Sequence, residues 1–199
     1  MEIENHKEEV PFEHYREIFE KTASEKMEQR LEMLMKDGAF EVKLLGTDYR
    51  ITWPEYSVTP NENLPLPKQT FLLRYLLEGK PAPVSTNYLT FREMPWGELY
   101  IQPFTGRVLK RAAFTFGTRI DDFRKAAEKL GGIPLQHGDA GYEFEFLGNY
   151  HLQMLIWEGD DEFPPNAQLL YTDNFVDGFA AEDRVVAGDL LINALKGLM

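Results

Sequence analysis

Four acids fall within five positions at Glu158, Asp160, Asp161 and Glu162, behind the apolar run Met154–Trp157 and ahead of Phe163-Pro164-Pro165. Carboxylates crowded in this way raise one another's pKa or recruit a cation. With Asp173 added from the end of the next expected strand, Asp160, Asp161 and Glu162 form an all-oxygen set. Such a set suits Mg²⁺ or Ca²⁺. The spacing is not that of an EF-hand loop, because the alternating acids ahead of a glycine are missing. A second chemistry rests on Glu158, which directly follows Trp157 on the apolar run. Burial there would lift its pKa toward neutrality and fit it for general acid or base work. Two plainer accounts cover the same residues and are preferred: a solvated acidic turn, and a Glu158 that accepts backbone N–H bonds from the Gly159 turn.

Several other chemistries are excluded. No cysteine is present, so disulfides, Fe–S ligation, thiolate zinc and a cysteine nucleophile all fall away. The histidines, His6, His14, His137 and His151, follow no metal-binding spacing. No nucleophile elbow, phosphate-binding loop or dinucleotide fingerprint occurs. The net charge of -12 argues against nucleic acid and against anionic membranes, both of which need clustered Lys and Arg. No apolar run reaches the ~20 residues that span a bilayer. Met1–Asn5 is acidic, unlike a secretory leader. A soluble cytoplasmic protein is expected.

The elements that would position these residues follow from periodicity. Residues 11–36 carry Phe12, Tyr15, Ile18, Phe19, Met27, Leu31 and Leu34 at mostly helical spacing, with a weak point at Thr22-Ala23-Ser24. Phe40 to Trp53 alternates around Gly46-Thr47-Asp48 as a hairpin. The Pro- and Asn-rich stretch from Ser57 to Pro67 reads as a loop. Pro67 to Glu78 predicts a helix apolar nearly all round, hence buried. Tyr88–Thr90 and Leu99–Ile101 read as short strands about an aromatic turn, Met94-Pro95-Trp96-Gly97. A basic helix follows from Thr105 to Phe116, and Thr118 with Asp121 resembles a capping box for a helix through Leu130. Strands are expected at Tyr142–Phe146, His151–Trp157 and Ala167–Tyr171, with a last helix from Glu182. Hairpins with helices against them make the class α+β, mainly antiparallel. At this length a single domain, 1–199, is expected, with a helical segment over 1–38 and the body over 39–199.

Charge is segregated along the chain. From 130 to 183 there is no Lys or Arg, while Arg107, Lys110, Arg111, Arg119, Arg124 and Lys125 lie close together. The run Leu155–Pro165, the ending Leu169-Leu170-Tyr171-Thr172-Asp173, and Ala181-Glu182-Asp183 resemble the signature of the bacterial and archaeal family known as domain of unknown function 3786. Leu72–Leu77, Thr90–Pro95, Leu130-Gly131-Gly132 and Gly138-Asp139-Ala140 are similar to it as well. The resemblance extends from about 40 to 198 and brings no assigned activity. It implies an accessory protein of anaerobic metabolism. Some similar proteins carry a cysteine-rich, iron–sulfur segment like those of corrinoid and one-carbon proteins, which this chain cannot hold.

The expectation that results is a binding domain without catalysis. An aromatic pocket lined by Arg92, Trp96, Trp157, Glu158, Phe163 and Tyr171, beside the acidic turn, would hold a small molecule or a protein partner. The alternative is a cation-dependent hydrolytic enzyme using Asp160, Asp161, Glu162 and Asp173 with Mg²⁺ or Ca²⁺.

Overall fold

A computed structural model describes residues 6–62 and 64–199. The acidic start Met1–Asn5, and Asn63 of the expected loop, lie outside the described residues. Contacts group the chain into two compact units, one of residues 1–43 and 47–81, the other of 44–46 and 82–199.

In the first unit, helices α1 (His6–Lys21) and α2 (Ser24–Leu31) are separated at the weak point the sequence marks. Strands β1 (Ala39–Leu44), β2 (Thr47–Thr52) and β3 (Ser57–Thr59) form a three-stranded sheet in that order. The stretch expected to be wholly loop therefore contributes a strand, whose three residues are too few to show a period. Helix α3 (Leu66–Glu78) buries Phe71, Leu72, Leu73, Tyr75 and Leu76, as its all-round apolarity requires. Phe19 meets Phe40 and Tyr56 edge-on, and Trp53 Nε1 donates to Thr22 O at 2.9 Å.

The second unit begins with edge strand β4 (Tyr88–Thr90), followed by a 3₁₀ turn over Phe91–Glu93. Helix α4 (Gly97–Phe104), a π-helical stretch over Thr105–Lys110 and helix α5 (Arg111–Phe116) then run on without a break. Leu99 and Ile101 are thus helical, correcting the expectation of a strand. Helix α6 (Ile120–Lys129) has Arg119 at its N-cap with no side-chain cap, so the box expected at Thr118 is not formed. A capping box is instead made at Thr90 and Glu93. Strands β5 (Ile133–Leu135), β6 (Ala140–Leu147), β7 (Tyr150–Trp157) and β8 (Asn166–Thr172) follow, then helices α7 (Phe175–Gly178) and α8 (Ala181–Lys196).

The five-stranded sheet is antiparallel, in the order β4-β8-β7-β6-β5. Its register aligns Phe144, Leu152 and Tyr171, and likewise Tyr142, Met154 and Leu169, on one buried face. Helices cover that face: Phe123 of α6 meets Tyr142 at 5.7 Å, and Tyr171 donates its hydroxyl to Arg184 O of α8 at 2.8 Å. The other face carries Glu143, Gln153 and Leu170 in line, all half-buried. The architecture is α+β.

Candidate functional site

The acidic turn is built by its backbone. Asp160 Oδ1 accepts from the N–H groups of Glu162 and Phe163 at 2.8 and 2.7 Å, and these bonds hold its carboxyl below the usual aspartate range. Asp139 Oδ2 accepts from Glu158 N at 2.8 Å, which joins the turn to the start of β6. Gly159 is required because a Cβ there would lie 2.6 Å from Pro165 Cδ. The Glu158 side chain is exposed rather than buried. Asp173 stands beyond the far end of β8, a seven-residue strand roughly 23 Å long. Its carboxyl accepts from Ser85 and Asn87, and both bonds lower its pKa. Among the described residues no group of three or more His, Asp or Glu converges as metal ligands would.

The six residues expected to share a pocket are dispersed. Trp157 pairs with Asn166 at one end of β8, whereas Tyr171 lies near the other end and on the opposite face. Tyr171 is fully buried, and that burial pushes its hydroxyl pKa well up. Phe163 is exposed on the acidic turn. Arg92 and Trp96 belong to the segment between β4 and α4.

That segment is the most unusual part of the unit. Glu93 folds back to accept from Thr90 N and Oγ1, both at 2.7 Å, which lowers its pKa and fixes the 3₁₀ turn. Phe91 stacks on Phe104 with ring centroids 4.1 Å apart, so the turn is tied to the end of α4. Gly97 N donates to Met94 O at 2.9 Å, closing a turn with Pro95 second and Trp96 third. Trp96 sits at φ 64°, ψ -1°, the third-position geometry of a type II turn, which ordinarily demands glycine. A Cβ on Gly97 would overlap Phe91 O, so the left-handed residue cannot simply move one place along.

Two faces of the ensuing helix reach solvent. On one, Trp96, Leu99 and Tyr100 recur at helical spacing and are 69%, 72% and 41% exposed. On the other, Arg92, Glu98, Ile101, Gln102, Thr105, Gly106 and Lys110 line a cleft of about 520 Å³. Arg92 Nε pairs with Glu98 at 3.1 Å. The π-helical stretch forms the cleft's end and is clamped to α8. Asp189 there takes Arg107 and Arg111, and Gly188 lets Val108 approach to where a Cβ would be 2.8 Å from Val108 Cγ1.

Two further groups escaped the sequence. His151 Nδ1 lies 3.3 Å from Glu143 Oε1, and Gln153 donates to Glu143 Oε2 at 3.2 Å. Burial, and then Glu143, push the Tyr88 hydroxyl pKa up beside them. The register pairing Glu143 with Gln153 is the signal that would have found this cluster. Arg184 is 2% exposed; its Nε donates to Phe179 O at 3.1 Å, and burial lowers its pKa. The cleft had no such signal, because polar residues on one side of a helix carry no motif.

Among the described residues no helix is long and apolar enough to cross a membrane. Comparison with curated proteins and with solved structures finds no match. The Thr90–Pro95 turn, the π-interrupted helix and the acidic turn all fall inside one stretch, residues 23–194, that matches a family as a whole, and the chain belongs to that family, described as domain of unknown function (DUF3786).

Proposed function

We propose that this chain is a cytoplasmic, non-catalytic binding domain that docks a protein partner through the face made by Trp96, Leu99 and Tyr100. One observation carries the reading: Trp96, a bulky residue 69% exposed, occupies a left-handed backbone position, as Glu32, Asp37 and Leu45 also do, and of these it alone is a large aromatic exposed to solvent beside further exposed apolar residues. Folding gains little from an indole in water, so its place there is accounted for by what it touches when a partner binds. Trp and Tyr are the residues that dominate protein–protein binding energy. The rigid capping box and the Phe91–Phe104 stack beneath hold this face in one geometry before binding.

The test is a photo-reactive benzoylphenylalanine placed at Leu99 in the protein expressed in its own host. We expect one defined protein adduct, absent when the same group replaces the exposed Lys125. In Trp96→Gly the adduct should be lost, while the domain gains about 1 kcal/mol of stability from relief of the left-handed strain. Equal cross-linking at 99 and 125 would remove the basis for the reading.

A further inference from the structure

We propose that the cleft between the Arg92 turn and the π-helical stretch is a binding site for a small oxyanion, a metabolite bearing a phosphate or carboxylate group. This goes beyond partner docking and uses the neighbouring face of the same helix. The cleft, of about 520 Å³, is an open groove along which Arg92, Glu98, Gln102, Gly106 and Lys110 are all exposed. Its polar lining is dominated by donors: the Arg92 guanidinium, the Gln102 amide, the Thr105 hydroxyl and the Lys110 ammonium. Among the described residues Lys110 has no ion-pair partner, so its charge is uncommitted. The two cations face one acid, Glu98, which leaves the cleft net positive on a chain whose net charge is -12.

Geometry supports the same ligand. Nothing lies within 4 Å of where a Cβ of Gly106 would be, so a ligand can approach that backbone closely. Ile101 supplies an apolar wall for a carbon skeleton. Arg92 offers the planar fork that matches phosphate and carboxylate oxygens. Its partner is Glu98, at 3.1 Å, with side chains 64% and 72% exposed. An exposed pair of this kind adds little to stability. It is therefore readily replaced, and the ligand's oxyanion takes the place of the Glu98 carboxylate on Arg92. Glu98 then acts as a built-in competitor that sets the affinity. Arg107 and Arg111 remain engaged by Asp189 and Asn193, and contribute only their field.

The experiment is a titration of the full chain, labelled with ¹⁵N, by inorganic phosphate and in parallel by citrate, at constant ionic strength. We expect saturable shifts confined to amides of Gln102, Thr105, Gly106 and Lys110 for at least one of the two anions. Saturation by phosphate alone assigns a phosphate-bearing ligand, and by citrate alone a carboxylate-bearing one. Lys110→Gln should weaken binding about tenfold, the scale of one charge-assisted contact. Glu98→Gln should tighten it about threefold by removing the competitor, as expected of a partly exposed charge. Glu41→Gln, at an exposed acid paired with Lys36, should change nothing. Shifts that never saturate, that spread to Lys36 and Lys125, or that weaken with Glu98→Gln overturn the site. Trp96→Gly leaves the anion titration unchanged while abolishing the partner adduct, so either idea can fail alone.

Discussion

Asp160 shows how one carboxylate is committed. Of the acids in its turn, it is the one whose oxygen caps two backbone N–H groups, those of Glu162 and Phe163. These bonds favour the ionised form, so its pKa in the folded protein lies below that in the unfolded chain. The stability it contributes is therefore fully present above the unfolded pKa and is lost as the pH falls through the folded one. Melting temperatures of the parent and Asp160→Ala, measured from neutral pH into acid, should differ at neutral pH and converge as the pH falls through the lowered pKa of the folded protein. A gap that persists unchanged into acid would mean that the charge is not what the turn uses. The run of acids was legible in the sequence at once. Its internal bonding was not, because which of Asp160, Asp161 and Glu162 caps the turn depends on backbone angles that all three spacings permit. Trp96 is the opposite case: the sequence placed it on the wall of an aromatic pocket beside the acidic turn, and only φ reveals what its position costs.

Helix α8 and the π-helical stretch are held together by one acid serving two arginines. Asp189 has a side chain only 16% exposed and pairs with Arg107 and Arg111, while Asn193 accepts from Arg111. Because Arg107 is itself half in water, the network deserves the discount of a partly screened pair. Asp189→Ala should cost about 1–2 kcal/mol in urea denaturation, since it leaves two neighbouring guanidinium groups without their acid. Amide exchange should quicken selectively over 105–111; uniform loosening across α4, α5 and α8 would show instead that the clamp is global. At this scale the sequence was informative wherever an element was long and one-sided. The break at Thr22–Ser24, the hairpin around Gly46, the buried α3 and the strands of the β6–β8 meander follow from periodicity. Leu99 and Ile101 misled because two alternating apolar residues are too few to separate a strand from a helix. What decides for helix lies elsewhere, in the turn at Trp96 and the stacking of Phe91 on Phe104. A π-helical turn leaves no periodic trace that six residues could display.

Over the whole chain, 33 acids against 21 bases set a self-repulsion that the folded state must carry. Lys and Arg are missing from 130 to 183 while eleven acids fall there, mostly in the turns between strands and after β8, so this stretch carries most of the unbalanced charge. Raising NaCl from about 10 to 150 mM shortens the screening length from roughly 30 to 8 Å. Scanning calorimetry should then show a higher melting temperature. MgCl₂ at matched ionic strength should give the same rise; a clearly larger one would mean that the acids hold a cation. The contacts group into two compact units, and the main division falls at the Lys80–Pro83 connector. The grouping of Leu44–Gly46 with the second unit could not be anticipated from chain order. A π turn winds one more residue into the helix than an α turn does, and such turns occur frequently at functional sites. Removing Gly106 should restore an uninterrupted α-helix through this stretch, which circular dichroism and a melting curve would check. Residues of α4 would then be turned by about 100° about the helix axis relative to α5, against the anchoring of β4 on β8. The exposed side chains of α4 would face new directions relative to α5.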